Sequence, residues 1–142
     1  MKRMIFALIV FQILALPASA QTLDGKLVHV RDADTIELAT SRGRTPIRLN
    51  GVDAPELDER GGRAGKQWMA KAYGGQQLRC VLNGDKTYDR WVGVCYARNG
   101  TDIGAAVIAS GHARDCPRFS GGRYRKYETK ASRAIPSKPY CR

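Results

Sequence analysis

Three short segments near the start of this chain alternate apolar and polar residues with a period of two, which is the pattern of half-buried β-strands. They are KLVHVRD (26–32), TIELA (35–39) and TPIRL (45–49). Because only short polar turns separate the segments, we expect an antiparallel meander of three strands. The alternation places Leu27, His29 and Arg31 on one face of the first strand, and Val28 and Val30 on the other.

Three later segments are predicted helices. RAGKQWMAKAYGG (63–75) ends at a pair of glycines, which act as its stop. TDIGAAVIASGHA (101–113) is a second, short helix with Thr101 or Asp102 as its N-cap. RYRKYETKASRA (123–134) is a third helix, whose high charge predicts a position on the surface.

Two further apolar stretches, QLRCVLN (77–83) and WVGVCYA (91–97), are predicted strands, with a loop at 84–90 between them. Three strands, a helix and two strands is the element order of a five-stranded barrel of the OB type, a fold whose outer face binds oligonucleotides. We therefore predict one α+β, mainly β, domain over residues 21–142: an OB-type barrel with three helices and a C-terminal tail.

The first 20 residues are predicted to be a secretory signal peptide that is cleaved after Ala20. Lys2 and Arg3 precede an apolar run, and the small residues ASA (18–20) follow it. The run is short for a membrane span. The rest of the chain has 22 basic and 13 acidic residues, a formal charge of +9. A basic exported domain is expected to meet a polyanion in the periplasm or the external medium: nucleic acid, anionic lipid or an acidic glycan.

All four cysteines lie after the predicted signal peptide, and an even count in a small exported domain predicts two disulfides. Their spacing does not fit a zinc site, because there is no CxxC pair and the two histidines are distant. Three pairings can be drawn. If the fourth and fifth strands pair around their loop, Cys80 lies opposite Cys95, which leaves Cys116 to pair with Cys141.

Charged residues gather where the third strand ends, in IRLNGVDAPE (47–56). Since Ile47 and Leu49 are core positions, Arg48 must point away from the core, and Asp53 and Glu56 emerge just beyond the strand. Asp32 and Asp34 lie in the turn between the first and second strands, which we expect to lie beside this cluster. Grouped carboxylates and carbonyls suit Ca²⁺, arginines suit a phosphate, and a glutamate can take a proton from water. These groups together suit hydrolysis of a phosphodiester.

The blocks RDADTIEL, IRLNGVDAPE and YDRWVGVCY, in this order, resemble those of the staphylococcal nuclease (thermonuclease) family. The resemblance runs from about Lys26 to Ala113. It implies the OB barrel with three helices, and a Ca²⁺-dependent endonuclease that hydrolyses DNA and RNA and leaves 3′-phosphate ends. No stable membrane partner is expected after signal cleavage, and the protein is expected to be a monomer.

The resemblance also implies roles for individual residues. Asp34 and Asp53 match the calcium ligands, and Ala54 would add its backbone carbonyl. Glu56 matches the carboxylate assigned as general base. Arg48 and Arg90 match the two arginines that bind the scissile phosphate.

Three positions depart from the family pattern. Ala33 stands where Gly is common, and Ala54 stands where Thr is common. Asp89 replaces a usual Gly and sets a negative charge beside Arg90, where it would weaken the hold on phosphate. The family's nucleotide-contacting tyrosines are missing from ARDCPRFSGGRY (113–124), so Phe119 or Tyr124 is left as a candidate for stacking on a base.

Two alternatives to a nuclease remain open from the residues. One is a non-catalytic module that binds nucleic acid or protein on the same barrel. It is disfavoured because such copies are expected to lose some of the five charged residues, and this chain has all five. The other is a basic exported protein that acts at anionic membranes or glycans, which only the net charge supports.

Overall fold

Five strands close into a barrel in a computed structural model that describes residues 20–142. Residues 1–19 of the predicted signal peptide lie outside the described residues. The barrel strands are β1 (Gln21–Asp32), β2 (Thr35–Thr40), β3 (Gly43–Leu49), β5 (Gln77–Thr87) and β6 (Arg90–Ala97), in the order β1-β2-β3-β6-β5. Strands β3 and β6 pair in parallel, and the other neighbours are antiparallel. The predicted five-stranded barrel is confirmed.

The core of the barrel contains the apolar residues that the alternation of β2 and β3 predicts. Ile36, Leu38 and Ile47 are fully buried, and Leu49 is nearly so. Glu37, on the opposite face of β2, is also covered, because Arg31 and Arg44 both form ion pairs with its carboxylate. A buried carboxylate needs such partners.

The predicted faces of β1 are wrong because the strand contains a β-bulge. Its pairing with β2 shifts between Leu27 and His29, so two residues of β1 oppose one residue of β2. Leu27 and Val30 are therefore buried, whereas Val28 and His29 between them are exposed. A pattern of strict alternation does not anticipate the extra residue.

The predicted loop at 84–90 is also wrong, because the two strands extend through most of it. Thr87 pairs with Arg90, so only Tyr88 and Asp89 form the turn between β5 and β6. Arg90 is therefore the first residue of β6 and does not lie in a loop. Cys80 and Cys95 are in register, and a disulfide joins them across the hairpin.

The first two predicted helices are confirmed and the third is not. α1 is Gly62–Tyr73, and α2 is Ile103–Ala109, whose N-cap is Asp102. The predicted third helix is interrupted at Glu128 and Thr129, because the Thr129 side chain caps a new helix. The result is a 3₁₀ turn at Arg125–Tyr127 and the short helix Lys130–Ala134, and another short helix at Pro117–Ser120 was not predicted. The Pro117–Ser120 helix is α3, and the Lys130–Ala134 helix is α4.

Outside the barrel, a two-stranded sheet and a second disulfide connect segments that are distant in sequence. β4 (Val52–Asp53) pairs with β7 (Arg114–Asp115), which places Asp53 opposite Arg114. A second disulfide joins Cys116, just after β7, to Cys141 near the C-terminus. Both disulfides are those favoured by the predicted pairing of the fourth and fifth strands. Among residues 20–142, no helix is long and apolar enough to span a membrane.

The Cys80–Cys95 bridge makes a testable contribution to stability. It closes a loop of 15 residues, which corresponds to about 3 kcal/mol in the chain-entropy treatment. We expect the Cys80→Ala/Cys95→Ala variant to lose a free energy of unfolding of about this size in urea titrations. Asp24→Asn is the matched control, since it breaks an exposed ion pair with Arg79 between β1 and β5 and should cost far less stability than loss of the disulfide. Equal losses in the two variants would contradict this account.

Candidate active site

Asp34 is the most heavily bonded acid of the candidate site, and it is buried in the turn between β1 and β2. Its Oδ1 accepts hydrogen bonds from Arg48 and from the Thr35 hydroxyl, the latter at 3.0 Å. Its Oδ2 accepts the backbone N–H of Ala54 at 2.8 Å. Burial raises the pKa of Asp34 above its usual value, and the charge of Arg48 opposes this shift. Three separate parts of the chain therefore meet on one carboxylate.

Asp53 is fully buried on β4, and only one of its carboxylate oxygens has a partner within the described residues. The Tyr140 hydroxyl donates to Oδ1 at 3.0 Å, and Oδ2 has no hydrogen-bond partner. Burial raises the pKa of Asp53 above its usual value, although the Tyr140 hydrogen bond acts in the opposite direction. Burial and the nearby Asp53 also raise the pKa of Tyr140 to about 12, so the phenol remains a donor at neutral pH.

Arg48 lies between these acids and the solvent. Its side chain is 17% exposed; one guanidinium nitrogen is paired with Asp34, and another donates to the Val52 carbonyl at 3.0 Å. Burial lowers the pKa of the guanidinium, but the charges of Asp34, Tyr140, Asp32 and Asp53 more than offset this effect and raise it. Arg48 therefore stays a cation, and its remaining N–H groups are available to a ligand.

Arg90 approaches the same acids from β6. Its Nη1 donates to Thr35 Oγ1 at 3.2 Å, and Thr35 in turn donates to Asp34. Its Nε donates to the Thr87 carbonyl at 3.3 Å. Arg90 is thus linked to Asp34 through a single buried hydroxyl.

The ion-pair partner of Asp89 is Arg31, not its neighbour Arg90. Arg31 on β1 donates to both of its carboxylate oxygens, at 3.0 and 2.6 Å. This bidentate hydrogen bonding lowers the pKa of Asp89. The negative charge that replaces a glycine in the family pattern is therefore balanced by Arg31, which leaves Arg90 available to the site.

Glu56 is exposed at the start of the segment that leads to α1, and the first glycine of that helix determines where its backbone lies. A Cβ added to Gly62 would lie 1.8 Å from the Glu56 carbonyl oxygen, so no other residue fits at position 62 without moving Glu56. The backbone N–H of Glu56 donates to Glu59 Oε2 at 2.8 Å. Glu56 is therefore held by its backbone while its side chain faces solvent.

A cavity of about 610 Å³ brings the two arginines and the glutamate together. Arg48, Glu56 and Arg90 all line it. Gly51 also lines it and has φ +75°, and an added Cβ there would lie 2.5 Å from Ser120 Cβ, so the turn after β3 requires glycine. The cavity wall includes three exposed aromatic rings: Tyr88, Phe119 and Tyr140.

Sequence reasoning missed several of these contributors. Tyr124, a candidate for stacking, is 2% exposed and donates its hydroxyl to Asp102 at 2.8 Å, so it is a core residue. Phe119 is 53% exposed and does line the cavity. Thr35 and Tyr140 were not predicted to be site residues, since one adjoins Asp34 in an ordinary strand and the other is 87 residues from Asp53 in sequence.

The two buried aspartates fit a divalent cation that is completed by other oxygen ligands. The unpartnered Oδ2 of Asp53 is a buried anionic atom, and such an atom is stabilised by a cation. The Asp34 carboxylate accepts the backbone N–H of Ala54, the residue that follows Asp53. No group of three or more His, Cys, Asp or Glu side chains suited to a metal occurs among residues 20–142. A cation held here would therefore depend on Asp34, Asp53, a backbone carbonyl and water.

Three proteins of other organisms are similar in sequence to this chain over about two thirds to three quarters of its length. A succinoglycan biosynthesis protein, ExoI, of Rhizobium meliloti (strain 1021) is 39% identical over 106 residues, which cover 67% of this chain and 53% of that protein. The chain thus spans about half of that relative's length. An uncharacterized endonuclease of Escherichia coli O157:H7 is 31% identical, over 74% of this chain and 69% of its own length. A micrococcal nuclease of Shigella flexneri is 29% identical, over 71% of this chain and 62% of its own length.

A family model described as "Staphylococcal nuclease homologue" matches residues 46–135, which is more than half of the chain. The matched region includes Arg48, Asp53, Glu56 and Arg90, and it excludes β1 and β2 with Asp34. The closed five-stranded barrel agrees with this match. The chain belongs to the staphylococcal nuclease homologue family.

Proposed function

We propose that this protein is an endonuclease that hydrolyses phosphodiester bonds of DNA or RNA with little sequence specificity. Its activity depends on Ca²⁺, and its products end in a 3′-phosphate. Membership of the family and the relatives named as nucleases support the hydrolase activity. The dependence on Ca²⁺ and the position of the cut bond rest on the resemblance of the site residues to those of the family.

The observation that carries the proposal is the shared cavity of Arg48, Glu56 and Arg90. Arg48, Arg90 and the exposed Glu56 line a single space of about 610 Å³, and Arg48 is paired with the buried Asp34. A phosphate in this space can accept hydrogen bonds from the remaining N–H groups of both guanidinium groups, which keep their positive charge. The exposed rings on the wall offer sequence-independent surfaces for bases.

Each residue has a separate role in the hydrolysis. Arg48 and Arg90 hold the phosphate and offset the negative charge that grows on its oxygens in the transition state. Glu56 accepts a proton from water, whose oxygen bonds to phosphorus as the bond from phosphorus to the 5′ oxygen breaks. The 5′ oxygen leaves with a proton from solvent, and the phosphate stays on the 3′ side.

Asp34 and Asp53 are the residues that would hold the cation. When bound, Ca²⁺ supplies positive charge beside the scissile phosphate. Thr35 and the Ala54 N–H keep the Asp34 carboxylate oriented, at 3.0 and 2.8 Å. Asp34 also forms an ion pair with Arg48. The same carboxylate therefore orients the proposed phosphate-binding arginine and serves as a proposed cation ligand.

We further propose that the protein is exported to the periplasm or the external medium as a monomer. The segment 1–20 has the layout of a signal peptide, and disulfides persist in oxidising compartments. The second candidate, a module that binds nucleic acid without cutting it, would use the same basic cavity. Cleavage of plasmid DNA in Ca²⁺, and its loss in a chelator, separates the two.

The role of Glu56 is tested by Glu56→Gln. General-base catalysis contributes about 10²–10⁴-fold to a rate, so we expect turnover in Ca²⁺ to fall by about that factor. Binding of a fluorescent oligonucleotide should persist, because both arginines remain. Asp85→Asn is the matched control: Asp85 lines the same cavity and bonds to Asn83 at 3.1 Å. Normal turnover in the Gln variant would remove Glu56 from the mechanism.

The burial of Asp53 predicts a pH dependence of stability without metal. Because its folded-state pKa is raised, the folded protein binds more protons than the unfolded chain as pH rises from about 4, the usual Asp value. Its ionisation therefore lowers stability as pH rises. In chelator, Asp53→Asn should gain stability over the natural protein progressively as pH rises above about 4, as measured by urea unfolding.

Adding Ca²⁺ at pH 7 should reduce or reverse this advantage, since only the natural protein keeps both carboxylates. Asp85→Asn makes the same change in net charge and serves as the control. A difference between Asp53→Asn and the natural protein that is constant with pH would contradict the burial argument.

A further inference from the structure

The C-terminal segment crosses the candidate site and is tied to it at four points. We call residues 135–142 the C-terminal strap. Its ties are a hydrogen bond from Arg114 to the Ile135 carbonyl at 2.6 Å, an ion pair of Lys138 with Glu59, the hydrogen bond of Tyr140 to Asp53, and the Cys116–Cys141 disulfide. One tie reaches a proposed cation ligand, and another reaches the residue that bonds to the backbone of Glu56.

The ring and the hydroxyl of Tyr140 lie in different environments, one partly exposed to solvent and the other bonded to a buried acid. Its ring is 44% exposed and lines the cavity beside Arg48 and Glu56. Its hydroxyl donates to Oδ1 of Asp53, which is buried and does not line the cavity. The hydroxyl therefore occupies one oxygen of Asp53 and leaves the other, Oδ2, without a partner in the described part of the chain.

This division of the two oxygens is what a cation ligand requires. A carboxylate whose one oxygen is held by a donor cannot rotate freely, and its other oxygen then points in one direction. Partners of this kind orient metal ligands, and their loss typically weakens metal binding by about 10–100-fold. We propose that Tyr140 is a positioning residue for Asp53, held in place by the Cys116–Cys141 disulfide, and that binding of a divalent cation depends on both.

The disulfide is needed because the strap has little structure of its own. Its only regular element is the three-residue 3₁₀ turn Pro139–Cys141. Cys141 is 1% exposed and lies next to Tyr140, while Cys116 follows β7, the partner of the strand that carries Asp53. The disulfide thus joins Tyr140 to the small sheet that holds its hydrogen-bond acceptor.

The inference rests on the proposed function, since it assumes that Asp34 and Asp53 bind Ca²⁺. Its test is calorimetric titration of the metal-free protein with CaCl₂ alone, without substrate. Tyr140→Phe keeps the ring and removes only the hydroxyl, so we expect calcium affinity to fall by about 10-fold or more with an unchanged fold. Tyr127→Phe is the matched control, because Tyr127 is 40% exposed and does not line the cavity.

A second variant tests the disulfide. Cys116→Ala/Cys141→Ala should lower calcium affinity by a similar factor, and adding Tyr140→Phe to it should cause little further loss, because both changes remove the same constraint. Circular dichroism and thermal unfolding identify any variant that fails to fold. If the combined variant loses calcium affinity by the full product of the two separate factors, the coupling between the disulfide and the Tyr140 hydroxyl is overturned.

The outcomes separate this inference from the proposed function. Wild-type calcium affinity in Tyr140→Phe would overturn the positioning role and leave the nuclease proposal intact. Tighter binding in Tyr140→Phe would also overturn it, since the hydroxyl would then compete with the cation. Absence of calcium binding by the natural protein, at concentrations that support cleavage, would overturn the calcium site and this inference together.

Discussion

A buried carboxylate must find hydrogen-bond donors, and Asp34 takes them from three separate parts of the chain. Thr35 donates from the start of β2, Arg48 from β3, and the Ala54 N–H from the residue after β4. Removing one member of a buried ion pair typically costs about 3–5 kcal/mol, because the other charge stays buried without a partner. The need to satisfy Asp34 therefore fixes the turn between β1 and β2, the turn after β3 and the side chain of Arg48 in one arrangement.

The rest of the site extends this arrangement through contacts that are distant in sequence. Arg90 joins it through Thr35, and Arg31 balances the Asp89 charge that would otherwise compete for Arg90. Asp53 is supported by Tyr140 from the other end of the chain. Cations, acids and aromatic rings from separate segments of the sequence thus contribute to one site.

The sequence predicts the barrel and the disulfide of its β5–β6 hairpin well because these features are local. Ile36, Leu38 and Ile47 alternate as strands require, and the Cys80–Cys95 pair follows from a hairpin. What it does not predict depends on a single extra residue or on long-range contacts. The bulge at Val28 and the sheet of β4 with β7 arise from pairing between strands, which no local pattern encodes. For the same reason, Tyr140 gives no local signal of its contact with Asp53.

The central claim is that Asp34, Asp53, Arg48 and Arg90 form one site in which a cation and a phosphate lie side by side. A crystal structure with CaCl₂ and a short DNA strand bound to the Glu56→Gln variant measures this directly. The account predicts anomalous density for calcium at about 2.3–2.6 Å from Oδ2 of Asp53 and from a carboxylate oxygen of Asp34, with a phosphate between the two guanidinium groups. Calcium elsewhere on the protein, or DNA bound without any phosphate at Arg48 and Arg90, would contradict it.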